Sequence, residues 1–201
     1  MVKRLFFSIA VPENISREIA AEQAKSCPSL YPPHPWGREG WGVRWVTPEN
    51  QHFTLRFLGD VEEARRSLLI NVGQKVAEKH SPFSVQIFDS GFFPGRGDPR
   101  IFWVGVTEGA ARLTALSQGL SDVLKSAGFP PEERPFIPHL TIGRIKQRLP
   151  EELLQRLVAA WKEKSFVPFT VTEFFLMESN LLPAGPIYQK IEVFPLLTRT
   201  H

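Results

Sequence analysis

The chain has 201 residues, 42% hydrophobic and 22% charged, with a formal net charge of +3. That length and apolar content suit one globular unit of two lobes over 1–201 and are poor material for a disordered chain. Its single cysteine, Cys27, excludes an internal disulfide framework and a cysteine-built zinc centre, and it fits a reducing, cytoplasmic setting.

The opening residues Met1 to Val11 are basic and then apolar, in the manner of a secretion signal. Their apolar run is short and stops at Pro12, which predicts a first strand over about 3–11. A helix over about 13–26 follows, then a Pro, Gly and Trp-rich loop over about 28–43. Arg44-Trp45-Val46 leads through Pro48-Glu49-Asn50 into a strand that starts at His52. Leu68, Leu69, Val72 and Val76 recur at helical spacing and predict a helix over 61–79. Strands are predicted at 83–88 and 100–106, and a helix at 110–127. The Pro-rich approach 130–138 delivers a second strand that starts at His139. A helix at about 150–164 and strands near 169–178 and 188–195 complete the chain. No stretch is long enough to cross a bilayer, so no membrane partner is predicted, and a monomer is the default. Strands arrive in runs and not in strict βαβα alternation, which predicts an α+β fold with antiparallel sheets. The succession of elements reads as one plan used twice: two lobes related by a pseudo-twofold, each giving one motif strand to a central cleft.

The two motif strands carry the chemistry. His52-Phe53-Thr54-Leu55 and His139-Leu140-Thr141-Ile142 share the pattern His-x-Thr-apolar. In an extended strand each His and its Thr lie on one face, and the apolar neighbours anchor the other. Two imidazoles and two hydroxyls are thereby offered to a cleft. Strand parity also puts Arg56 on the face of His52 and Thr54. It puts Arg144 opposite His139 and Thr141 unless Gly143 bends the strand. Phe53, Trp45 and Phe136 lie beside the motifs as candidates to stack on a base. His34, His80 and His201 are read as histidines without a catalytic role.

Trp45-Val46, then Pro48 to Gly59, and later Phe136 to Arg144, resemble the 2H phosphoesterase superfamily. Within it they are similar to the RNA 2′,3′-cyclic phosphodiesterases, also called 2′-5′ RNA ligases; Arg4 to Ala10 resembles that family's opening strand. The resemblance implies a bilobal fold and cofactor-free, metal-independent opening of an RNA 2′,3′-cyclic phosphate to a 2′-phosphate. It implies His52 as proton donor and His139 as proton acceptor, with Thr54, Thr141, Arg56, Arg144 and Phe53 as substrate-binding candidates. The residues alone leave the two histidine roles interchangeable. The segment from Cys27 to Gly42 is longer than the family's usual connection, and no family role is carried onto it.

Two imidazoles suffice for such a reaction, because a pKa of about 6.5 lets one ring be neutral and the other protonated. The threonine hydroxyls would donate to non-bridging phosphate oxygens. The same site, with a 5′-hydroxyl of another strand in place of water to open the cyclic phosphate, would make a 2′-5′ linkage without ATP. No Gly-x-x-x-x-Gly-Lys-[Ser/Thr] phosphate loop is recognised. Three alternatives stay open: a metal site, for which neither motif has a second ligand at zinc spacing; a non-catalytic RNA-binding module; and the same chemistry on a 2′-5′ oligonucleotide or an ADP-ribose cyclic phosphate.

Overall fold

A computed structural model describes residues 1–26, 42–182 and 185–197. The elements in chain order are β1 (Val2–Ala10), α1 (Glu13–Lys25), β2 (Val43–Trp45), β3 (His52–Glu62), α2 (Arg66–Ala77), β4 (Phe83–Val85), β5 (Ile87–Phe93), β6 (Ile101–Val106), α3 (Ala110–Ser126), β7 (Leu140–Ile145), α4 (Glu151–Lys162), β8 (Phe169–Val171), β9 (Glu173–Leu182) and β10 (Gly185–Pro195). The helix predicted from 61 starts later. Val61 and Glu62 finish β3, paired with Lys3 and Val2, and a 3-10 turn at Glu63–Arg65 precedes α2. The strands predicted at 83–88 and 169–178 are each two. Their first parts, β4 and β8, pair with each other as a small sheet of their own. Most of the long connection after Cys27, with Tyr31, His34, Trp36 and Trp41, lies outside the described residues, as does His201.

Two antiparallel four-stranded sheets form the body, ordered β10-β9-β1-β3 and β2-β7-β6-β5. The α+β architecture with antiparallel sheets is as predicted. The doubled plan is not laid out as two successive halves of the chain. The first sheet takes β1 and β3 from the N-terminal half and β9 and β10 from the C-terminus, and the second is closed by β2 pairing with β7. Sequence order cannot reveal this, because strand pairing is a long-range choice that local period does not encode.

Helices sort in the same crossed way. α2 and α3 pack on each other and on the first sheet, while α1 and α4 serve the second. Gln23 of α1 reaches β7, and Trp161 of α4 donates from Nε1 to Ser26 Oγ at 2.7 Å. Each amphipathic helix buries one stripe: Leu69, Val72 and Val76 on α2, Leu113, Leu116, Leu120 and Leu124 on α3. α2 approaches β10 closely because residue 73 is glycine, where a Cβ would lie 2.4 Å from the Phe194 ring. β1, paired on both edges, is also buried on both faces: Leu5, Phe7 and Ile9 on one, Phe6 and Ser8 on the other. No helix among the described residues is long and apolar enough to cross a membrane.

Candidate active site

β3 is an edge strand of the first sheet, and it meets β7 of the second. A cleft of about 390 Å³ lies there, lined by both motif pairs, His52 with Thr54 and His139 with Thr141. The apolar partners behave as strand alternation requires. Phe53 and Leu55 are 1% exposed and Leu140 and Ile142 fully buried, so the core holds each strand by the face the cleft does not use.

Both imidazoles are fixed in one way. His52 Nδ1 lies 2.8 Å from the carbonyl of Asn50, and His139 Nδ1 lies 2.7 Å from that of Ile137. A carbonyl only accepts, so each Nδ1 carries the proton and each Nε2 is left for chemistry. The lead-in residues of the motifs supply these carbonyls: the 3-10 turn Pro48–Asn50 before His52, and the Pro-rich approach before His139. The rings are also wedged laterally. His52 sits against Phe6 and edge-on to Tyr188, each at 5.0 Å, and His139 sits edge-on to Phe93 at 4.9 Å.

This packing lowers the proton affinity of both rings. His52 is brought down to about 4, first by burial and then by the positive Arg144 and by His139. His139 is lowered as well, by burial, against the opposing pull of the Ile137 carbonyl. Both are therefore neutral in the free protein at neutral pH.

The two arginines exchange the places that simple parity assigns them. In β3 the pairing runs Phe7 with Arg56 and Ser8 with Thr54, so Leu55 is an extra residue and the strand bulges. Beyond a bulge the faces swap. Arg56 is consequently 4% exposed and outside the cleft lining, donating to the Pro130 carbonyl and pairing with Glu132 at 3.1 Å. In β7 the pairing runs Phe102 with Gly143 and Trp103 with Thr141, so Ile142 is the extra residue. There the swap brings Arg144 round to the cleft. Phe53, proposed as a stacking platform, is in the core for the reason its own alternation gave, and it is not among the lining residues. Trp45 lines the cleft, whereas Phe136 packs against the core.

Each bulge is held by a buried polar side chain on a helix. Ser117 of α3 donates to the Leu55 carbonyl at 2.7 Å, and Gln23 of α1 donates to the Ile142 carbonyl at 2.9 Å. A bulged residue leaves the ladder with backbone groups to satisfy: Ser117 takes the Leu55 carbonyl, and Gln23 shares the Ile142 carbonyl with the N–H of Val46, which lies 2.9 Å from it. Sequence reading missed both, together with Tyr188, Arg44 and the hairpin residues Leu182, Gly185, Pro186 and Ile187 that wall the cleft. The available signal was weak: a polar residue on the buried stripe of α1 or α3. Among the described residues, no group of three His, Cys, Asp or Glu is placed to hold a metal ion.

Residues 12–181 match the model of the 2′-5′ RNA ligase superfamily. The chain belongs to that family. It is 36% identical over 154 residues to a protein of Aquifex aeolicus named RNA 2′,3′-cyclic phosphodiesterase, covering 76% of this chain and 81% of that one. A protein of the same name from Archaeoglobus fulgidus is 38% identical, over 76% of this chain and 84% of its own. Among solved structures, a Thermus thermophilus protein superposes with a TM-score of 0.76 at 27% identity, over 96% of this chain and 97% of the other. The Escherichia coli LigT structure with 3′-AMP has the same TM-score at 24% identity, over 98% and 100%. In this family setting the His-Thr pairs that face each other here are the pattern for which the 2H group is named.

Proposed function

We propose that this protein hydrolyses RNA 2′,3′-cyclic phosphate ends to 2′-phosphates by two-histidine acid/base catalysis, with its two sheets acting as one catalytic body. The observation that carries the reading is that two imidazoles, each tied at Nδ1 to the carbonyl two residues before it, share one cleft with two threonine hydroxyls and Arg144. Relatives named RNA 2′,3′-cyclic phosphodiesterase support the substrate class.

The cyclic phosphate enters between the motifs with its non-bridging oxygens toward Thr54, Thr141 and Arg144, where negative charge grows in the transition state. His139 Nε2 takes a proton from water as its oxygen bonds to phosphorus. The bond from phosphorus to the ribose 3′-oxygen breaks, and His52 delivers a proton from Nε2 to that oxygen. A 2′-phosphate and a free 3′-hydroxyl result. His52 must be charged for this, yet it is neutral in the free protein. The phosphodiester anion removes the conflict: entering beside Arg144, it offsets the guanidinium that disfavours the imidazolium and attracts the proton electrostatically. The same displacement with a 5′-hydroxyl in place of water forms a bond from phosphorus to the 5′-oxygen as the bond to the 3′-oxygen breaks, which gives ATP-free 2′-5′ ligation at the same site. No cofactor or metal takes part, and the working unit is a cytoplasmic monomer.

The test is a short RNA ending in a 2′,3′-cyclic phosphate, incubated with the protein in EDTA and resolved into 2′- and 3′-phosphate products. A 2′-phosphate that the His52→Ala variant does not make is the expected result. Turnover that EDTA abolishes, or a 3′-phosphate product, overturns the mechanism.

A further inference from the structure

Beside His139 the second sheet carries an aromatic shelf. In the pairing of β5 with β6, Phe93 is opposite Ile101 and Gly91 is opposite Trp103, and in that of β6 with β7, Trp103 is opposite Thr141. Residues paired in this way project on the same face. Phe93 and Trp103 therefore share the face of the cleft threonine, while Phe92 and Phe102 turn to the other face, where Phe102 meets Trp161 of α4. Both rings on the cleft face are partly exposed. His139 stands edge-on to Phe93 at 4.9 Å, and Phe93 leads on to Trp103, with 5.2 Å between ring centres and 31° between planes.

Two glycines lay the indole down. A Cβ on residue 91 would stand 2.5 Å from Cζ2 of Trp103, and 2.9 and 3.0 Å from the ring atoms on either side of it. Such similar distances place that point over the ring and not beside its edge. One indole face thus lies on the β5 backbone because residue 91 has no side chain, and the opposite face is turned away from the sheet. Gly105, two residues further along β6, makes room for the ring edge: a Cβ there would stand 3.3 Å from Cζ3.

The chemistry of the cleft says what such a surface would hold. In an in-line displacement the attacking and leaving oxygens stand on opposite sides of phosphorus. The leaving 3′-oxygen belongs to the nucleotide that carries the cyclic phosphate, so that nucleotide lies toward His52, whose ring is wedged by Phe6 and Tyr188 of the first sheet. The attacking oxygen lies toward His139, whose ring abuts Phe93 of the second. A water needs no surface beyond His139. A 5′-hydroxyl does, because it brings a sugar and a base, and every base has a face that stacks on an aromatic side chain whatever its identity.

We infer that Phe93 and Trp103 form an acceptor subsite, which stacks the 5′-terminal base of the strand whose 5′-hydroxyl opens the cyclic phosphate. The inference deepens the proposed function and rests on its placement of the two histidines. In this step the 5′-hydroxyl gives its proton to His139 Nε2 as its oxygen bonds to phosphorus, the bond to the 3′-oxygen breaks, and His52 protonates that oxygen. The shelf holds the 5′-hydroxyl beside the phosphate in competition with water, and so sets the share of product that is ligated.

The test pairs an RNA ending in a 2′,3′-cyclic phosphate with a short 5′-hydroxyl RNA, offered either intact or with an abasic first residue. The wild type should ligate the intact acceptor about tenfold more efficiently than the abasic one, the worth of one stacked base. That ratio should fall toward one in Trp103→Leu, which keeps an apolar side chain on Gly91 without a ring, and persist in part in Trp103→Phe. A wild-type ratio near one, a ratio that Trp103→Leu leaves unchanged, or hydrolysis with no ligation at any acceptor concentration overturns the shelf. A raised KM for hydrolysis in Trp103→Leu with the acceptor ratio intact also overturns it, by assigning the rings to the cyclic-phosphate strand. Hydrolysis with a flat acceptor ratio removes this inference alone; a wild type that neither hydrolyses nor ligates removes the proposed function and the inference with it.

Discussion

β3 and β7 carry the same motif and the same kind of defect, yet they send their arginines in opposite directions. Arg56 lies four residues after its histidine and Arg144 lies five. One extra residue intervenes in each strand, at Leu55 and at Ile142, and after a single bulge an even separation leads away from the histidine face while an odd one leads back to it. Arg144 thus becomes part of the cleft. Arg56 becomes a buried tie to Pro130 and Glu132, on the approach that delivers His139. One residue of spacing separates a group that lines the cleft from a group buried against the approach to the other motif.

Substitutions at the motifs themselves should have the largest effect, because there the strands are alike. His52→Ala and His139→Ala are each expected to lower kcat/KM by about 10²–10⁴-fold with the melting temperature little changed. A strong asymmetry between them would break the equivalence of the two motifs. The arginines should separate them. Arg144→Gln is expected to lower kcat/KM by roughly ten- to a hundredfold and leave thermal stability unaltered. Arg56→Gln should instead cost about 1–3 kcal/mol in denaturant unfolding, since it removes a buried charged donor from the Pro130 carbonyl and from Glu132.

The helix residues that hold the bulges sharpen the contrast further. Gln23→Leu and Ser117→Ala each remove a hydrogen bond to a bulge carbonyl and should each cost about 1 kcal/mol of stability. Only Gln23→Leu should also lower kcat/KM, because only its bulge aims a cleft residue. Equal loss of activity in both would mean that the β7 bulge has no special part in orienting Arg144.

The smallest effect is on pH dependence. The folded-state pKa of His52 is near 4 and its unfolded value near 6.5, so in that interval the unfolded chain binds more protons. Its contribution to stability is therefore complete above about 6.5 and is lost as pH falls toward 4. His52→Gln should flatten the acid side of a plot of stability against pH between these values; an unchanged slope would show that the ring is not desolvated. With both rings lowered in the free protein, kcat/KM should peak on the acid side of 6.5, and Arg144→Gln should move that peak upward.

Much of the site was legible because its marks are local. A two-residue period determines that Phe53, Leu55, Leu140 and Ile142 anchor while His52, Thr54, His139 and Thr141 face away from the core, and only neighbours in sequence are needed to read it. Helices were legible by the same local logic, with their ends less so. The start of α2 was displaced because Val61 and Glu62 continue a strand whose partner is the N-terminus, a pairing that no local period reveals.

The sequence by itself therefore determined the elements, the buried faces and the two His-Thr pairs, since each depends on the period of one short segment. The tertiary structure decided which strands share a sheet, where a ladder takes an extra residue and which helix side chain satisfies it. It consequently decided which arginine reaches the cleft, that Tyr188 stands beside His52 and that Arg44 lines the same cleft. The physical reason is that a bulge is a compromise between two strands and the core behind them: its position depends on partners such as Phe7, Ser8, Phe102 and Trp103, which lie far from the motifs along the chain.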